Sequence, residues 1–183
     1  EIGDDIVIEI GNETNVSNKT SENFEVDSFG DHVDPIEYAN FFIKTAQALK
    51  NEHPNLKLSL AGTACFDDSY IETVLAEISK YEEVSGQKLV DVISYHPYGS
   101  NAGSAHSIEN GKFIQSKESL CSFQEQYDAM KQIATKYNVD LTIGEINYPK
   151  GSHQKEKLAK FLDNAAKIGT VSCIWPSYSM HEG

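Results

Sequence analysis

Ile6-Val7-Ile8-Glu9-Ile10-Gly11-Asn12-Glu13 is a β-branched run that stops at a glycine, and its alternation with helical stretches decides the fold. Branching at Cβ favours the extended chain, so this stretch is read as a strand. Asp34-Pro35-Ile36-Glu37 then opens a helix in capping-box fashion, with proline at the first helical position. Apolar residues recur at Ile36, Ala39, Phe42, Ile43, Ala46 and Leu49, which is a helical period. His53-Pro54-Asn55 breaks the helix, and Leu56–Leu60 is the next strand. Ser69 can cap a second helix carrying Ile71, Val74, Leu75 and Ile78.

The same alternation continues to the end. Leu89–Tyr95 reads as a third strand. A helix from about Glu118 carries Leu120, Phe123, Tyr127, Met130, Ala134 and Tyr137. Leu141–Glu145 is a fourth strand, and Leu158, Phe161, Leu162, Ala165 and Ile168 mark a helix ended by Gly169. Thr170–Trp175 is the fifth strand. Five strands alternating with four helices predict an α/β fold with a parallel sheet of βαβ units. Two connections are longer than such units need: Thr14 to His32, and the Gly-, Ser- and Asn-rich run from Gly99 to Lys117. Both come after the C-terminal end of a strand, where parallel sheets and barrels carry their ligand sites.

Composition narrows the partner. The 183 residues suit one domain, here residues 1–183. Hydrophobic residues are 39% and charged residues 23%, the balance of a globular chain rather than a disordered one. No apolar run reaches the roughly 18 residues of a membrane span. Acidic residues outnumber basic ones 28 to 15, and every basic one is lysine. Without arginine forks or a basic stripe, nucleic acid and anionic membranes are poor partners. Neutral ligands remain, and sugars are the obvious class.

Cys65, Cys121 and Cys173 form no metal-binding spacing, and a Cys65–Cys121 pairing stays open. Asn12, Asn15 and Asn18 each begin a glycosylation sequon, read as unused at Asn12 and as chance at the others. Asp67-Asp68 with Glu72 lacks the calcium-loop pattern and reads as a solvated helix start. Neither a metal nor a cofactor is expected. The chain opens on Glu1 with no charged-then-apolar leader, so it is read as a processed or excised product.

Chemistry concentrates at the strand ends. A parallel sheet brings Asn12-Glu13, His96-Pro97-Tyr98, Glu145 and Trp175 to one edge. Two carboxyl groups across a cleft equip a site for glycoside hydrolysis: one protonated to donate, the other ionised to attack. An indole offers a flat apolar face to a sugar ring. Each residue alone has a plainer reading. Glu13 and Glu145 would be exposed strand-end carboxylates, His96 a hydrogen-bonded structural histidine, and Trp175 part of the core. Their joint order on successive strands favours the site.

These motifs resemble the retaining glycoside hydrolases of clan A. The matching features are Gly11-Asn12-Glu13 after one strand, His96-x-Tyr98 after another, Glu145 after a third and Trp175 on the last. The resemblance implies a (β/α)8 TIM barrel, of which this chain would hold strands four to eight. It implies Glu13 as acid/base and Glu145 as nucleophile. By the same resemblance Asn12 binds the sugar 2-hydroxyl, His96 and Tyr98 orient the carboxylates, and Trp175 is the sugar platform. A barrel of this kind takes about 250 residues, so the expectation is an incomplete barrel. The N-terminal barrel half would lie on the same parent chain or on another. The implied activity is cleavage of a β-linked oligo- or polysaccharide, in an extracellular or cell-surface setting. A non-catalytic carbohydrate-binding or structural fragment is the second reading. A flavodoxin-like sheet ranks third, because Thr14–Thr20 has no glycine to cradle a phosphate.

Overall fold

The computed structural model describes residues 6–16, 33–97, 107–109, 112–114, 123–146, 154–168 and 172–174. Its strands are β1 (Val7–Ile10), β2 (Lys57–Leu60), β3 (Thr63–Ala64), β4 (Val92–His96), β5 (Ser107–Glu109), β6 (Lys112–Ile114), β7 (Asp140–Ile146) and β8 (Ser172–Ile174). Its helices are α1 (Pro35–Glu52), α2 (Asp68–Ser85), α3 (Phe123–Lys136) and α4 (Gln154–Ile168). The main strands run parallel in the order β1-β2-β4-β7-β8, with the two-residue β3 also paired to β4. β5 and β6 form a separate antiparallel hairpin inside the long connection after β4.

Each main strand lies beside its predecessor in the chain. A flavodoxin-like sheet would reverse its strand order at a switch point, and this one does not. The helices share one face. Ile10, Leu58, Leu60, Ile93, Tyr95, Ile143 and Ile146 form a single apolar core with residues of all four helices, including Phe42, Ile71, Met130 and Phe161. Strand side chains alternate between faces. Glu9, Ser59, Ser94 and His96 therefore line the opposite face, the one a closed barrel would enclose.

The local start signals explain the element boundaries. Asp34 Oδ1 accepts from the amides of Ile36 and Glu37 at 2.9 and 3.2 Å, capping α1 as its sequence suggests. The cap of α2 is Asp67 rather than Ser69. Asp67 Oδ1 accepts from the Tyr70 amide at 3.2 Å. Nor is Asp67 a solvated group: it is buried and bonded by Asn15. β4 begins three residues later than the apolar run Leu89–Val92 suggests. The Leu89 and Val90 amides go to Glu82 Oε1 instead of to a neighbouring strand. α2 ends on Gly86, whose φ of +69° suits a glycine cap. Among the described residues no helix is long and apolar enough to cross a membrane.

Candidate active site

β1 ends by turning back on itself. Gly11 has φ +96° and Glu13 φ +50°. A left-handed conformation costs a non-glycine residue about 1 kcal/mol, so it persists only where neighbours hold it. They do: the Glu13 amide donates to Gly62 O at 2.9 Å, and Glu13 O accepts from the Val16 amide at 3.3 Å. The next turn is buried and knitted to the start of α2. Asn15 Nδ2 donates to Asp67 Oδ2 at 2.9 Å, and the Ala64 amide donates to Asn15 Oδ1 at 2.9 Å. That burial leaves no room for a glycan on Asn15.

His96 ends β4 and is 1% exposed. Its Nδ1 lies 2.8 Å from Glu13 Oε1 and 3.4 Å from Glu145 Oε1. One oxygen of each carboxylate and this nitrogen all fall within 4.8 Å of one another. The carboxylates are half-buried, with side chains 15% and 20% exposed. This trio could offer a cation three ligand atoms. Glu9, itself exposed, lies on the same face. Its Oε2 accepts from Ser94 Oγ at 3.1 Å and its Oε1 from the Gly62 amide at 3.1 Å.

Glu145 reaches the cluster because β7 is irregular. Ile143 pairs with Ser172 and Ile146 with Ile174, three residue steps against two. One extra residue in a strand reverses the alternation beyond it and re-aims a side chain. Ile143 and Ile146 both join the helix-side core, and Glu145 turns to the opposite face with Gly144.

Of the expected site residues, the structure brings Glu13, His96 and Glu145 together. Asn12 sits beside Glu13 and is exposed. Tyr98 and Trp175 lie outside the described residues, as does Cys121. The motifs in the sequence do not point to Glu9, Ser94 or Gly62. Glu9 carries a faint signal as the one charge inside an apolar strand run. Cys65, buried next to Glu13, pairs by a backbone bridge with His96. Burial, and secondarily the Glu13 charge, pushes its thiol up to about 12, which keeps it protonated and a poor nucleophile at neutral pH. Asp67 is also raised, by burial, against the lowering hydrogen bonds from Asn15, Tyr70 and Ser69.

The fold resembles part of the (β/α)8 barrel of glycoside hydrolases in the clan whose motifs the sequence resembles. A family 44 endoglucanase from Clostridium thermocellum superposes with a TM-score of 0.61 at 17% identity, over 92% of this chain and 42% of that one. A family 44 xyloglucanase from Paenibacillus polymyxa gives 0.65 at 13% identity, over 92% and 42%. A family 39 enzyme from Xanthomonas axonopodis gives 0.59 at 16% identity, over 91% and 32%. The chain thus spans less than half the length of each of these solved structures. No protein-family model matches the sequence, and no curated protein does.

Proposed function

We propose that this chain carries the catalytic carboxylates of a retaining glycoside hydrolase acting on a β-linked glycan. One observation carries the reading: Glu13 and Glu145, far apart in the sequence, present oxygens within 4.8 Å of each other around His96 Nδ1. Carboxyl groups about 5 to 5.5 Å apart suit direct attack by one of them, whereas an inverting site needs room for a water between them. Glu145 attacks the anomeric carbon while Glu13 protonates the departing glycosidic oxygen. Glu13 then takes a proton from water as that water displaces Glu145. Asn12 contacts the sugar 2-hydroxyl, Tyr98 helps orient the carboxylates, and Trp175 supports the ring. No cofactor enters this scheme.

The sheet is open at β1 and β8 among the described residues, and Ile6 and Val7 are exposed at the β1 end. An open parallel edge with apolar side chains invites further strands. We infer that residues 1–183 belong to one barrel domain, completed by βα units on the same parent chain or another. The enzyme would act on oligo- or polysaccharide outside the cell or at its surface. Proton NMR of the first-formed product from a β-glycoside tests the mechanism. The β-anomer is expected, and the α-anomer would overturn the retaining assignment.

A further inference from the structure

Gly62 and Gly144 flank the His96 imidazole from two different strand ends. A Cβ on Gly62 would lie 2.3 Å from His96 Nε2, 2.6 Å from Ser94 Oγ and 2.8 Å from His96 Cδ2. A Cβ on Gly144 would lie 2.6 Å from Ser94 Oγ, 2.8 Å from His96 Nε2 and 3.0 Å from His96 Cδ2. Neither glycine has a positive φ. Backbone freedom therefore does not explain them, and close approach does. The ring they enclose is buried and cannot swing into solvent to make room.

Gly62 does more than leave space. Its amide donates to Glu9 Oε1 and its carbonyl accepts from the Glu13 amide, so one residue ties two carboxylate-bearing positions to the wall of the ring. Gly144 precedes Glu145 within the β7 irregularity, so its Cα faces the ring while the next side chain reaches Nδ1. Both ring atoms that touch the glycines, Nε2 and Cδ2, lie on the side away from the carboxylates. The slot therefore fixes which nitrogen meets Glu13 and Glu145.

We propose that Gly62 and Gly144 are positioning residues, forming a two-walled slot that holds the His96 ring so that Nδ1 bridges Glu13 and Glu145. The catalytic consequence rests on the hydrolase reading above; the ring placement does not. A methyl on either wall displaces the imidazole, lengthens its contact with Glu13 and changes how a proton is shared across the cluster.

The test compares Gly62→Ala, Gly144→Ala and Gly86→Ala in the intact protein that carries this chain. Nitrogen-15 NMR of His96 reads its tautomer and titration, and β-glycoside hydrolysis is followed across pH. Both slot variants should move the His96 nitrogen resonances. They should lower kcat by up to about 100-fold, the cost of an ångström-scale misplacement. They should also shift the pH profile with little change in KM. Gly86→Ala carries strain at a positive φ but has open space around its Cβ, so it should lose stability and leave resonances and profile unchanged. In a His96→Ala background the two alanines should cost less, because the ring they crowd is gone and only the Ser94 Oγ contact remains.

Unchanged His96 resonances in the folded slot variants would overturn the proposal, as would equal losses with and without the ring. If Gly62→Ala, the tighter contact, does not fold, Gly144→Ala decides alone. A protein without hydrolase activity but with shifted resonances would leave the slot standing and remove only the hydrolase reading.

Discussion

Tyr38 Oη donates to Ile10 O at 2.6 Å, at the residue where β1 ends and the turn to Glu13 begins. The same hydroxyl accepts from the Ala61 amide at 2.7 Å, so one α1 side chain stitches the ends of β1 and β2 together. Tyr38 is buried, and water cannot replace either bond. Tyr38→Phe should therefore leave a buried amide and carbonyl short of a partner. The expected loss is about 1 to 3 kcal/mol. Urea denaturation of the two proteins measures it. A difference below about 0.5 kcal/mol would mean that the two strand ends relax toward each other without help.

Tyr95 should behave in the opposite way. It is fully buried on β4, facing the helices, and its hydroxyl has no hydrogen-bond partner among the described residues. Desolvation by burial, with smaller contributions from Tyr127 and Asp128, pushes its ionisation far above the usual tyrosine range. An unpaired buried hydroxyl costs free energy that a ring hydrogen does not. Tyr95→Phe is expected to be neutral or to raise the urea midpoint slightly. A clear fall in the midpoint would show that the hydroxyl is satisfied in solution.

Much of this architecture is legible in the sequence because its signals are local. β-Branched runs and helical periodicity locate the main strands and helices, and their alternation points to a parallel sheet. The chain-order arrangement is not readable that way, since it depends on which edges meet. β3 has two residues, and the β5–β6 hairpin lies in a polar connection, so neither produces a periodic signal. The α2 cap is ambiguous because Asp67-Asp68-Ser69 offers three capping side chains in a row, and only burial beside Asn15 separates them. Glu145 is marked by its strand-end position. Strict alternation after Ile143 would send it toward the helices, and the extra β7 residue reverses that. Glu9 and Gly62 leave almost no trace in the sequence because their importance lies in contacts between strands far apart along the chain.

Cys65 makes stability depend on alkaline pH. In the unfolded chain its thiol ionises near 9, whereas burial and the Glu13 charge hold it to about 12 in the fold. Between those values the folded state binds more protons than the unfolded one, so stability falls as pH rises. The contribution is complete below about 9 and fades on approaching about 12. Cys65→Ala keeps a residue of similar backbone preference at this left-handed position, φ +54°, and removes the titration. The difference in unfolding free energy between the two proteins should be constant up to about pH 8 and shift in favour of the variant by about pH 10.5. A pH-independent difference would mean that the thiol is not shielded as the structure has it.

The division of labour between Glu13 and Glu145 predicts distinct kinetic signatures. Both carboxylates meet one imidazole nitrogen, Glu13 at 2.8 Å and Glu145 at 3.4 Å, so their charges are felt mutually. The rate profile should be bell-shaped, with apparent constants that belong to the coupled cluster rather than to one residue. Glu145→Gln removes the attacking oxygen, so turnover should fall by several orders of magnitude whatever the leaving group. Glu13→Gln removes a proton donor that matters only when the departing oxygen is basic. An aryl glycoside with an acidic leaving phenol departs without that proton, whereas an alkyl or sugar leaving group needs it. In the intact protein, the first step with the aryl substrate should therefore be spared by Glu13→Gln, while the unactivated substrate loses about 100-fold or more. The second step, in which Glu13 would deprotonate water, should become slow on both. A glycosyl-enzyme heavier than the free protein by one sugar unit should then accumulate in the mass spectrum with the aryl substrate. Equal first-step losses on the two substrates would reject Glu13 as the acid, and wild-type turnover in Glu145→Gln would reject Glu145 as the nucleophile.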